Sequence, residues 1–288
     1  AGGGTGGDTG GGTGEGTGGG ASPEGGVLPL PRRQELPEEA FVSLSELKSF
    51  GSPVAGGGLP ICVVSAPWLT SDHPDPRRTS LRQLTWMLRH LVGNGQRWAV
   101  FWDFFSLHQR PEKGKRDAEE ELLYERSKRY MGLLYSHPAT TVCRITRLPD
   151  DYPDGWTLAT SANIASYDRR AWCFLEWQWS RFPGKPAHRS LDLGRLSGEE
   201  EDRKAAVALA TSEAEAEPTS QGNGRLVPPL TPEQFVEAAD VMSFSLPKDD
   251  GTFVPALYDA TFKMQLGKLR RLDYSNCGMD DEEAEQLG

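Results

Sequence analysis

Cysteine is scarce and scattered. Cys62, Cys143, Cys173 and Cys277 lie far apart, with no CxxC pair and no N-x-S/T sequon beside them. Neither a zinc knuckle nor a disulfide scaffold is encoded, and this usage fits a reduced, cytoplasmic chain. Long apolar runs are missing too. The longest, around LPICVVSAPWL, contains prolines and falls well short of the roughly 20 residues that cross a bilayer, so no membrane partner is expected. Basic excess is absent: 31 Lys and Arg stand against 41 Asp and Glu, with no basic stripe, which leaves nucleic acid without an electrostatic footprint. There is no GxSxG elbow, and Gly184-Lys185 runs into Pro186 rather than the Ser or Thr of a phosphate loop. Asp72, His73 and Asp75 cluster in SDHPDP, but no HxxxH or Cys/His spacing accompanies them. Asp side chains that bond their own backbone before proline account for that cluster, and no metal is expected.

Glycine, by contrast, is abundant at one end. Residues 1–26 are almost free of apolar side chains and cannot offset the entropy of ordering, so 1–38 reads as a disordered Gly-rich tail and linker. The GxGxxG at 14–19 has neither a strand before it nor a helix after it, and carries no nucleotide reading. The chain opens on Ala1 and is read as part of a longer protein. A second low-complexity stretch covers 197–228. Within it, residues 199–217 hold seven acids against two bases, the texture of a linker or surface insertion.

Between these stretches, 39–196 has the pattern of a folded domain. ICVVSAPWL (61–69), WAVFWDFFSL (98–107) and TTVCRIT (140–146) are strand candidates. LRQLTWMLRHLV places Leu81, Leu84, Leu88 and Leu91 on one helical face, and a second helix carries Leu123, Tyr130, Met131 and Leu134 at helical spacing. DRRAWCFLEWQWSRF is the third helix, stopped by Pro183-Gly184. Alternating strand and helix implies an α/β fold with a parallel sheet. In such a sheet ligands bind at the carboxyl edge of the strands. That edge gathers Ser65 and Asp72 from the first strand, and Asp103 and Ser106 from the second. Glu176 lies in the third helix among Trp172, Trp177 and Trp179. Two readings of it stay open: a seam residue paired with Arg169 or Arg170, or a carboxylate placed for chemistry. Cys173, between Trp172 and Phe174, reads as a small core residue.

The region 229–288 begins with helical patterns in TPEQFVEAADVM and FVPALYDATFKMQ. It ends in LRRLDYSNCGMDDEEAEQL, which resembles one leucine-rich repeat of the ribonuclease-inhibitor type. A single repeat cannot bury its own face, so the array is read as truncated at this point. Such repeats imply a protein partner.

Four motifs occur in one order: VVSAPW, VFWDFFSLHQ, YMGLLY and RRAWCFLE. Together they resemble the heterokaryon-incompatibility (HET) domain, at Ser65 and Trp68, at Trp102, Asp103 and Gln109, at Met131 and Tyr135, and at Arg170, Trp172 and Glu176. HET domains are related to the Toll/interleukin-receptor (TIR) domain, whose plant-type members carry W-C-x-x-E, matched by Trp172-Cys173-Phe174-Leu175-Glu176. Arg170 stands where plant-type sequences carry Ser, Trp177 replaces the following Leu, and ICVVSAPW replaces the usual first strand. The resemblance implies a flavodoxin-like parallel sheet with helices on both faces and self-association through the α/β domain. It also implies a signalling or defence role, in which Glu176 cleaves the nicotinamide–ribose bond of NAD⁺. An ordinary Glu is ionised at neutral pH without tuning. Trp68, Trp102 or Trp172 would stack a ring of the substrate, and Arg77, Arg78 or Arg170 would meet the diphosphate. The alternative is a non-catalytic assembly module.

Overall fold

The computed structural model describes residues 29–50, 59–92, 97–111, 114–137, 140–160, 162–182, 190–196, 229–244 and 247–267. Most of the Gly-rich tail, the acidic stretch 197–228 and the repeat-like end lie outside them. Four strands form one sheet in the order β2-β1-β3-β4: β1 Ile61–Ser65, β2 Ala99–Phe101, β3 Thr140–Arg144 and β4 Ser190–Asp192. Every pairing is parallel, so the expected α/β architecture is present. β1 and β3 run nearly continuous in apolar and β-branched residues because both faces of the sheet are covered.

The helices are α1 Leu44–Phe50, α2 Thr79–Val92, α3 Asp103–Ser106, α4 Ala118–Ser136, α5 Ala171–Ser180, α6 Pro232–Ala239 and α7 Pro247–Leu266. Leu84 and Met87 of α2 pack on one sheet face with Cys62, Val64, Cys143 and Leu191. On the opposite face, Met131 and Tyr135 of α4 and Leu175 and Trp179 of α5 meet Val63 and Val142. A further layer lies outside these helices. Phe235 of α6 and Val254, Leu257 and Tyr258 of α7 belong to the same cluster as α4 and α5. The helical part of 229–288 therefore shares a core with the sheet domain.

Two sequence expectations are corrected, and one strand is added. The second strand stops at Phe101, and DFFS forms a helical turn. There, Asp103 Oδ1 accepts from Phe104 N (2.7 Å) and Ser106 Oγ accepts from Trp102 N (3.1 Å). These short polar side chains draw the backbone out of the ladder. On α4 the spacing placed Met131 and Leu134 correctly and Leu123 and Tyr130 wrongly. Leu123 and Tyr130 face water while Met131, Gly132 and Tyr135 are buried. Finally, β4 is three residues of SLD, too short to carry an alternation signal.

Helix starts follow local chemistry. Asp75 is fully buried and accepts from Thr79 N, Thr79 Oγ1 and Leu81 N, closing the N-terminus of α2. Asp117 and Glu120 make a capping box on α4, and Thr231 and Gln234 make one on α6 behind Pro232.

Candidate functional site

The topology creates a switch point. From β1 the chain passes through α2 on one face of the sheet, and from β3 it passes into α5 on the other. The carboxyl ends of these neighbouring strands are therefore where connections diverge and a crevice forms. Ser65 is the last residue of β1 and stands in register with Arg144, the last of β3. Arg144 is in turn in register with Asp192 of β4.

Glu176 reaches this edge from α5. Ser65 Oγ donates to Glu176 Oε2 at 2.5 Å. Ser65 Oγ and the Tyr167 hydroxyl lie 2.7 Å apart, and Tyr167 also donates to Cys173 O at 3.4 Å. Tyr135 donates to Val64 O at 2.9 Å, one residue before Ser65. Ser65 and Tyr135 are fully buried, and Tyr167 and Glu176 are 4% and 7% exposed. The carboxyl is thus surrounded by hydroxyls. The expected pairing with Arg169 or Arg170 is not formed: Arg170 donates to Trp68 O (2.5 Å) and Ala165 O (2.7 Å), and Arg169 sits 4.0 Å from Asp168. Neighbouring carbonyls had the geometric advantage, because Arg170 precedes α5 and its side chain runs toward the loop after β1.

Asp103 forms the second part of the cluster. Its Oδ2 accepts from Trp68 Nε1 at 3.1 Å. Gln109, of the same motif, donates to Asp103 O and Leu107 O and holds the turn that carries Asp103. Five predicted site residues fall into two hydrogen-bonded groups, Ser65 with Glu176 and Trp68 with Asp103 and Arg170, and the Asp103 charge acts on Glu176. Three others join neither group. Asp72 is exposed on its loop, and the buried carboxylate there is Asp75. Ser106 is spent on the Trp102 N–H. Trp172 turns away, donating to Asp250 Oδ2 (3.1 Å) and facing Phe253 of α7. Of the other arginines considered for a diphosphate, Arg77 is engaged by Asp151 and Gly155 O, and Arg78 by Pro29 O.

Electrostatics at this edge favour neutral groups. Burial raises the Glu176 carboxyl to about 8, and the Asp103 charge adds to the rise. Hydrogen bonds with Ser65 and Tyr135 pull the other way without offsetting it. Asp103 is raised to about 6, again by burial, against hydrogen bonds from Trp68 and Phe104 N. Burial also holds Tyr135, Tyr167 and Cys173 well above their ordinary values. The expectation that Glu176 is ionised without tuning is therefore overturned: in this conformation it is mostly protonated at neutral pH.

Arg144, Tyr167 and Asp192 were not foreseen. Arg144 had a signal, a cation inside the apolar strand TTVCRIT, whereas Tyr167 had none. Arg144 is 6% exposed, lies 3.8 Å from Asp192 Oδ2 and carries an Nε without a partner among the described residues. Arg170, 4% exposed, carries an Nη2 in the same condition. The described residues contain no group of three or more His, Cys, Asp or Glu arranged to hold a metal. No helix among them is long and apolar enough to cross a membrane. A cleft of about 440 Å³ lies on the α2 side, lined by Thr79, Gln83, Arg147, Asp150 and Asp151 among others, and none of the expected site residues borders it. Comparisons with protein-family models, curated proteins and solved structures returned no match for this chain.

Proposed function

We propose that residues 39–196 form a flavodoxin-like, TIR/HET-type domain of a cytoplasmic leucine-rich-repeat protein with a signalling or defence role, and that Glu176 promotes hydrolysis of NAD⁺ without a metal. The observation that carries this reading is the convergence of Ser65, Trp68, Asp103, Arg170 and Glu176 at the β1/β3 switch point. Perturbed carboxyls at such an edge support it, because shifted acids cluster at reaction sites. Two buried guanidinium groups, on Arg144 and Arg170, each keep a nitrogen without a partner among the described residues and add support, because phosphate oxygens satisfy such donors well.

In this mechanism water attacks the anomeric carbon of the ribose and the C–N bond to nicotinamide breaks. The bond's electron pair leaves with nicotinamide, which departs neutral. The proton of the attacking water passes to solvent, and ADP-ribose remains. Positive charge grows on the ribose ring as the bond opens. An ionised Glu176 stabilises that charge in a site drier than water. The resting conformation holds the group protonated, so the reactive state is one in which water or substrate has reached the carboxyl and lowered its pKa. Purified protein incubated with NAD⁺ should release nicotinamide, and Glu176→Gln should abolish release while the fold persists. Because self-association is part of the reading, the assay belongs at high as well as low protein concentration. No release at either concentration would sink the enzymatic reading.

The second reading, an assembly module without turnover, is favoured by one observation: Glu176 is already satisfied by Ser65 and shielded from water. It predicts that Glu176→Gln leaves self-association and signalling intact.

A further inference from the structure

The segment 163–170 lies across the hydroxyl cluster and is held from two sides. Toward the sheet, Arg170 donates to Trp68 O, tying the segment to the loop after β1. Toward the C-terminal helices, Ser243 binds it at several points. Ser243 N donates to Arg169 O at 2.7 Å, and Ser243 O accepts from Ala171 N at 3.1 Å. The Ser243 hydroxyl donates to Asn163 Oδ1 at 2.9 Å, and Asn163 Nδ2 donates to Ser243 O at 3.4 Å. Arg170 and Ser243 pair as an isolated parallel bridge, outside any sheet.

What this segment covers is specific. Tyr167, its inward residue, puts a hydroxyl 2.7 Å from Ser65 Oγ, which in turn donates to Glu176. Its neighbours face water: Ile164 is 56% exposed, and Ser166, Asp168 and Arg169 are exposed as well. The cover is therefore one residue layer thick. Its regular structure is a single helical turn, Tyr167–Arg169. Such a segment has few apolar contacts of its own, and its closed position depends on what grips it. The grip on one side is Ser243, which lies between α6 and α7, and those helices are set by the packing of Phe235 and Tyr258 at 4.1 Å between ring centres.

We propose that 163–170 is a lid over Ser65 and Glu176, latched by Ser243, so that displacement of the α6–α7 pair uncovers the carboxyl. The effect on turnover rests on the reading of Glu176 as the reacting group; the opening itself does not. The latch couples the part of the chain nearest the repeat-like sequence to the carboxyl edge of the sheet, through the main-chain bonds of Ser243 and its two bonds with the Asn163 side chain.

The test separates the two ideas. Asn163→Ala removes both side-chain bonds to Ser243, and Ser243→Pro removes the N–H that binds Arg169 O. Amide exchange at Ala171 reads the latch, and labelling of Glu176 by a water-soluble carbodiimide reads the opening. In the unmodified chain Glu176 should resist labelling. In either variant, exchange at Ala171 should rise by about tenfold or more and Glu176 should become labelled, while amides of β1 and β3 stay protected. Asn163→Ala decides the matter if Ser243→Pro fails to fold. Faster exchange at Ala171 with Glu176 still unlabelled overturns the lid, and so does unchanged exchange in both variants. Labelling without any nicotinamide release from NAD⁺ upholds the lid and removes the hydrolase. Labelling together with faster release upholds both.

Discussion

Glu176 holds its carboxyl where a charge is costly, and that fixes what its replacement should do. Its pKa is about 8 in the fold, against an ordinary value of 4.5, so the folded chain binds more protons than the unfolded chain between those limits. The stability this group contributes is complete below about pH 4.5 and is lost as pH rises through about 8. Glu176→Gln, which mimics the protonated form, should flatten the decline in urea-unfolding free energy over that interval. Unchanged slopes would mean the carboxyl is already ionised in the fold. Glu176→Ala should cost about 1–3 kcal/mol, because it removes a buried hydrogen bond and leaves Ser65 with Tyr167 alone. If the ionised form is the reactive one, nicotinamide release by the resting protein should climb as pH rises through about 8. The sequence announced this residue by setting a carboxylate among three tryptophans. It did not announce its protonation state, which follows from burial first and the Asp103 charge second, against hydrogen bonds from Ser65 and Tyr135, all of them brought together only by the fold.

At the level of elements, legibility followed periodicity. α2 shows it well: Leu84 is buried, and Leu81 and Leu88 pack against the same cluster, as the spacing required. α4 shows the limit. Its inner face includes Gly132, where an added Cβ would come within 2.7 Å of Thr261 Oγ1 and 2.8 Å of Trp179 Cε2. A close helix crossing on a glycine contributes nothing to a hydrophobic pattern, so the stripe read as Leu123, Tyr130, Met131 and Leu134, of which only Met131 and Leu134 belong to the core cluster. Gly132→Ala should force α5 and α7 away and cost about 1–3 kcal/mol, measured as a shift in the denaturation midpoint. Asp75 makes the parallel case for polar residues. In sequence it was one of three loop residues with metal-like chemistry, whereas in the fold it closes α2. Asp75→Ala should cost about 2 kcal/mol. Adding divalent metal to the unaltered protein should not raise its melting temperature, and a clear rise would point to a cation in that loop.

Across the whole molecule, composition and packing draw different boundaries. Composition changes sharply at 197–228, and composition is what a linear reading detects. Packing ignores it: the Phe174 and Phe235 rings stack at 5.3 Å, and Leu230 N donates to Gln178 Oε1, joining α5 to the chain beyond the stretch. Phe235→Ala should therefore destabilise the sheet as well as α6, by about 3–5 kcal/mol, in a single cooperative transition followed by both tryptophan fluorescence and far-ultraviolet dichroism. Two separate transitions would contradict the shared core. The same packing restricts how the gene can be rearranged. A recombination junction placed in the permissive acidic stretch would look harmless on paper, yet it would hand the sheet a stranger's aromatic partners for Phe174 and Phe182. Inheritance of the sheet with its own α6 and α7 is the combination that folding permits.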